Sequence, residues 1–254
     1  MTKLSSKIVQ DSSVDIPFDV ERWEIALDEQ ISAYTFLIKI ITNPEITSTL
    51  FDEKLREMKN PESKAIDAII PDNKKEELVR LGIILHRSQV FTVYSMQMIV
   101  VVITYFEGIL KNFVTSLFCK FPQRMFDYIH PASDVNLRGK INLQELLEAD
   151  SKRALIYTLA LKAASDLTQG SIKDIIKRLQ KITRNSIDEK LLQAMIPIEN
   201  LRNQIVHEMS ALDSSSVKVE DVDMAFKATE QTLLHFEEIA KKMGISIHRF
   251  VVDE

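Results

Sequence analysis

The sequence predicts an all-α fold, and three observations carry that prediction. Only five glycines and seven prolines occur among 254 residues, too few for the tight turns that a sheet protein of this length needs. Few stretches alternate apolar and polar residues over strand length. Apolar residues instead recur every three or four positions, the spacing that gathers them on one helix face. With 45% apolar and 27% charged residues, the chain has an ordinary globular balance, and its length suits one domain or at most two.

The elements follow in order. Residues 1 to about 18 read as a loosely packed leader ending at Pro17. From Val20 to Ile41, the residues Trp23, Leu27, Ile31, Tyr34 and Ile38 make a helical stripe, which Asn43-Pro44 stops. A short helix from Leu50 to Met58 and a loop around Pro61 and Pro71 come next. Residues 1–84 are thus expected to be a leader and accessory helices on a helical domain over residues 85–254, together one compact unit. Ser88 to Lys120 is the dominant segment, 33 residues that would extend about 50 Å as one helix. Between Met98 and Phe106 it is apolar on nearly every face, as in a helix surrounded by protein. Its length suits either a subunit interface or a wholly enclosed central position, and Pro122 ends it.

A helix over Ser151–Leu167 is closed by Gly170, and Ser171 caps the next, with Asp174 three residues on. That helix buries Ile172, Ile175, Leu179 and Ile182 and carries a second stripe of Lys173, Lys177, Lys181 and Arg184. Stacked charges of this kind either lie along a phosphate backbone or form a solvated face balanced by nearby acids. Ser186 and Glu189 make a capping box for a helix through Met195, and Pro197 requires a kink or a restart there. Val222, Phe226, Leu233, Phe236 and Ala240 mark the stripe of a last helix, stopped by Gly244. The tail SIHRFVVDE reads as a short strand or an extended arm.

Several function classes lose support. Cys119 is the only cysteine, so no intramolecular disulfide or multi-cysteine zinc site forms, and its apolar setting marks a small buried hydrophobe. No phosphate loop, dinucleotide glycine fingerprint, HExxH or nucleophile elbow is present, and neither metal nor cofactor is expected. The first residues lack the apolar segment of a signal peptide. The run from Met98 to Phe106 is interrupted by Thr104 and is short for a bilayer. A cytoplasmic protein without a membrane partner is the expectation. The net charge of −5 leaves nucleic-acid binding to a local basic patch.

Four of the five histidines read as bland. His235 lies about 180° around its helix from Phe226 and is expected to face water. His86, His130 and His248 are expected at element ends or in loops, without a matching partner. His207 stands apart, in the segment Asn200-Leu201-Arg202-Asn203-Gln204-Ile205-Val206-His207-Glu208, at the end of an amphipathic helix.

This segment resembles the R-N-x-x-x-H form of the arginine–four-to-six–histidine motif of HEPN-domain proteins. The likeness extends over roughly residues 85 to 243: a long helix with Tyr105-Phe106-Glu107, later helices, the motif, and a closing helix. It departs after His207, where Glu208-Met209-Ser210 replaces the glycine-containing turn that often follows, and Glu208 would oppose RNA. The resemblance implies an antiparallel helical bundle with an N-terminal extension. It implies a metal-independent endoribonuclease working as a homodimer with a composite cleft, of a kind often found as toxins or antiviral effectors, with an antitoxin or regulatory protein as possible partner. His207 would exchange protons with the RNA 2′-hydroxyl as it attacks the adjacent phosphorus, because imidazole ordinarily titrates near neutrality. Arg202 would fork onto phosphate oxygens, Asn203 would orient either side chain or the substrate, and Glu107 would support the motif. Cleavage would leave a 2′,3′-cyclic phosphate and a 5′-hydroxyl. The alternative is a silent HEPN module that binds RNA, nucleotide or protein.

Helical geometry adds a constraint. Residues five apart on one helix differ by about 140° and rise about 7.5 Å, so Arg202 and His207 converge only if the helix ends near His207 or a second copy contributes. Each residue also has a plain reading: Arg202 as a surface ion-pair partner, His207 as a C-terminal cap, Asn203 as a solvated amide, Glu107 as an i,i+4 partner of Lys111, and Tyr105 as core rather than a base-stacking ring.

Overall fold

A computed structural model describes residues 13–59, 72–125, 128, 149–207 and 217–249. His130, the loop around Pro61 and Pro71, and Glu208–Ser210 lie outside the described residues. Among those described, the fold is all-α: seven α-helices, one 3₁₀ turn and a single two-strand pairing.

Helix α1 (Val20–Thr42) starts where the Asp19 carboxylate accepts the Arg22 amide at 3.3 Å. It ends because Asn43 is extended, the conformation a following proline demands. Pro44 then opens α2 (Pro44–Lys59), whose Glu45 amide donates to Asn43 Oδ1 at 2.8 Å. Asn43-Pro44 is therefore a junction between two helices, and the second is longer than the Leu50–Met58 element expected.

Helix α3 (Asp72–Lys120) has 49 residues, about 73 Å. It begins well before the expected Ser88, so a boundary at residue 84 falls inside one continuous helix. Most of the other long helices pack extensively on it: α1, α2, α4 (Lys152–Leu167), α6 (Glu189–His207) and α7 (Val219–Met243), while α5 (Ile172–Thr183) packs chiefly on α6. Its C-terminal half forms the axis of the core, where Phe113 meets Phe18 edge-on at 5.5 Å and Phe236 at 4.7 Å. Gly108 is required there, because a Cβ would come within 2.4 Å of the Trp23 ring. Asn112 Oδ1 accepts from both the Trp23 indole (3.3 Å) and the Asp19 amide (3.0 Å), which fixes α1 on α3. Tyr105 packs edge-on against Trp23, as core. The Met98–Phe106 stretch is enclosed apart from exposed Thr104 and partly covered Val100, Val101 and Tyr105.

Several expectations are corrected. Residues 13–18 are anchored on the core rather than loosely packed: Val14 and Phe18 are buried, and the Val14 amide donates to Cys119 O at 2.9 Å. The tail forms a two-residue strand, β2 (Ile247–His248), parallel to β1 (Phe18–Asp19). Asp188 rather than Ser186 caps α6, through a 2.9 Å bond from the Lys190 amide. That helix runs without restart through Pro197 to His207. His86 lies within α3, and His248 does have a partner, Asp19, at 3.2 Å. His235 does not face water: it is half-buried, and its Nε2 is buried without a hydrogen bond. Cys119 is fully buried, and burial pushes its thiol pKa up to about 12. Finally, α3 is long and apolar enough to cross a membrane by length and composition, although half of its most apolar 18-residue window is buried among the other helices.

Candidate functional site

The candidate residues come together on three helices. The first turn of α5 (Ile172–Thr183) is set by Ser171, whose Oγ accepts the Asp174 amide at 3.3 Å and meets the Asp174 carboxylate at 2.7 Å. Gly170 takes a positive φ of 97° in the turn before it, and Arg178 holds the carbonyls of Leu167 and Gln169 at 2.7 and 2.6 Å. From α6, Glu199 Oε1 accepts the Ile172 amide at 2.9 Å and docks the two helices. A cleft of about 300 Å³ opens where these meet α3. Its polar residues are Glu107 from α3, Ser171, and Glu199, Asn200, Arg202 and Asn203 from α6.

Arg202 is half-buried in this cleft. Its Nη1 donates to Asn203 Oδ1 at 3.1 Å, while its Nε is buried with no partner. A guanidinium with a buried unspent donor is poised for a further acceptor. Glu107 lines the same cleft, and among the described residues no ion pair joins it to Lys111. Three of the four motif residues singled out from the sequence, Glu107, Arg202 and Asn203, are thus neighbours.

His207 is not among them. It is the exposed last described residue of α6, outside the residues that line the cleft. Continuing the helix as far as His207 keeps the 140° offset from Arg202 that helical geometry dictates. Glu199 and Ser171 were missed as site residues. Their legible signal was position: Glu199 precedes Arg202 by three residues on the same helix face, and Ser171 was recognised only as a cap.

The basic stripe leads away from the cleft along α5. Lys173, Lys177 and Lys181 are exposed, opposite the buried Ile172, Ile175, Leu179 and Ile182. Arg184 leaves the helical register, in a left-handed conformation at the C-cap (φ 59°). Arg124 joins the stripe there: its Nη1 donates to Ile182 O at 2.6 Å, and its pKa is lowered by burial and by the neighbouring Arg184 charge. Among the described residues, no cluster of three or more histidine, cysteine or carboxylate groups is arranged to hold a metal ion.

No family model, no curated protein and no solved structure matches the chain.

Proposed function

We propose that the chain is a metal-independent endoribonuclease of the HEPN type. The observation that carries this reading is the cleft itself, which Arg202, with its buried unpartnered Nε and its Nη1 bonded to Asn203, lines together with Glu107 from the long helix. Arg202 binds the scissile phosphate and Asn203 holds the guanidinium in place, while His207 moves the proton of the 2′-hydroxyl. Because His207 stands outside the cleft of its own chain, it serves the cleft of a second copy or reaches substrate that extends past the end of α6. Lys173, Lys177, Lys181 and Arg184 carry the RNA backbone away from the cleft along α5. Such an activity suits a toxin or antiviral effector held in check by an antitoxin or regulatory protein in the cytoplasm.

A second reading, a non-catalytic module that binds RNA, nucleotide or protein, has its own support. Glu107 and Glu199 put two carboxylates beside the arginine, and His207 is remote from it within one chain. Both features weaken a phosphate site.

Labelled single-stranded RNA in excess EDTA separates the two. For the nuclease, His207→Ala slows cleavage by about two to four decades, the usual range for acid–base catalysis. Arg202→Lys is also damaging, since lysine keeps the charge and loses the fork. Mixing inactive Arg202→Ala and His207→Ala chains restores activity if two copies share a cleft. Neutralising the stripe weakens RNA binding and flattens its salt dependence. Full activity in His207→Ala removes the assignment, and RNA binding without cleavage selects the second reading.

A further inference from the structure

Two neighbouring arginines close the far end of the basic stripe. Arg124 belongs to the 3₁₀ turn Pro122–Arg124 that follows α3. Its guanidinium lies over the Phe121 ring at 4.5 Å, and its Nη1 donates to Ile182 O at 2.6 Å. The side chain is half-buried, with one face and one donor fixed and its other donors unspent. Two residues after Ile182, the exposed Arg184 takes a left-handed conformation (φ 59°) that residues with a side chain seldom adopt. Its positive charge reaches Arg124 and opposes the charge there. Among the described residues, neither guanidinium is joined to a carboxylate. Neighbouring like charges disfavour the fold, and chains keep such local conflicts chiefly at functional sites.

We propose that the Arg124–Arg184 pair binds a phosphate monoester dianion, the terminal phosphate of a nucleic-acid strand lying along α5. The first argument is charge. Two uncompensated guanidiniums suit two negative charges, which a monoester carries at neutral pH and a backbone diester does not. The second is geometry. A planar guanidinium bonds two phosphate oxygens at once, and Arg124, held by Phe121 and Ile182, loses little freedom in doing so. The third is place. Helix α5 has 12 residues, about 18 Å, with the cleft at its start and the pair at its end. Lys173, Lys177 and Lys181 lie exposed between them, a track of single charges suited to diesters and ending in a double one. Only the strand as source rests on the nucleic-acid reading of this stripe; the dianion site does not, and neither needs cleavage.

The test uses the full chain and fluorescent 2′-deoxy oligonucleotides, which lack the hydroxyl that would attack in cleavage. They carry a phosphate at the 5′ end, at the 3′ end or at neither. One phosphorylated strand should bind at least about tenfold tighter than the unphosphorylated one, as charge-assisted bonds to both arginines imply. That advantage should fade below about pH 6, where the monoester loses its second charge, and vanish in Arg184→Gln. Glutamine keeps a Cβ at the left-handed position, so the backbone strain is unchanged. With the repulsion removed, the unliganded variant should be at least as stable to heat as wild type. A less stable variant would mean that an acid of the chain already neutralises the pair, and would overturn the site. An advantage that survives in Arg184→Gln places the phosphate elsewhere and overturns it equally. Equal affinity for all three strands overturns the strand end as the source. If inorganic phosphate then also protects wild type against heat no better than Arg184→Gln, the dianion site itself is overturned.

Discussion

The two halves of α3 have similar apolar character and opposite fates. Phe106, Ile109, Leu110 and Phe113 are at most 1% exposed, whereas Leu78, Leu81, Ile84 and Leu85 stand about half open on the same helix. Hydrophobicity sets what a residue gains by burial; only neighbouring elements decide whether burial happens. The C-terminal half has α1, α4, α6 and α7 around it, and the N-terminal half has α2 on one side. The candidate cleft belongs to the crowded half, where Glu107 and Arg202 are held by packed helices. Leu78, Leu81, Ile84 and Leu85 belong to the open half, where a surface residue can be exchanged without disturbing the core.

This contrast can be broken by substitution. Phe113→Ala should cost about 3–5 kcal/mol, because it leaves a cavity among Phe18, Phe236 and the α3 core. Leu81→Ala in the monomer should change stability by no more than about 0.5 kcal/mol, as at an ordinary surface site. Urea midpoints of the two variants measure the difference, and comparable losses would mean that Leu81 is packed in solution.

The two glycines of α3 sharpen it further. Gly108→Ala should destabilise by about 1–3 kcal/mol, since the new methyl group meets a Trp23 ring pinned by Asn112. Gly82→Ala should instead stabilise the monomer by about 0.5–1 kcal/mol, because alanine gains helix propensity and touches nothing. Opposite signs in thermal unfolding are the expected result.

The smallest effect is alkaline. Burial raises the Cys119 thiol from 9.0 to about 12, so the unfolded chain ionises first as pH rises. The folded state then holds the extra proton, and this contribution to stability is complete below about pH 9 and is lost as pH rises towards 12. Wild type should therefore weaken more steeply over that window than Cys119→Ala, compared as urea midpoints against pH. Identical slopes would show that the thiol is solvated.

The helices were legible where caps and apolar period agree. Ser171 and Gly244 marked their ends correctly because each device acts within a few residues of chain. The start of α3 was not legible: residues 72–88 mix charges with Gly82, and their apolar face has no partner in the described fold. The Asp188 cap was missed because Ser186-x-x-Glu189 offered a competing local pattern two residues earlier. His235 was misjudged because a helical wheel around Phe226 treats one face as solvent, whereas a helix packed among several neighbours has little free face. In the site, Arg202, Asn203 and Glu107 were named from the chain, but the roles of Glu199 and Ser171 depend on α5 and α6 meeting.

By itself, then, the sequence determined an all-α chain, its principal caps, a buried inert cysteine and the residues from which a cleft can be made. These depend on local spacing and side-chain chemistry. Tertiary structure alone decided that Glu107 and Arg202 share a cleft while His207, five residues along, does not. It also decided that the apolar residues of α3 are core in its C-terminal half and largely exposed near its start. Both outcomes depend on which helices arrive beside a residue, and that is set by contacts between segments tens to hundreds of residues apart.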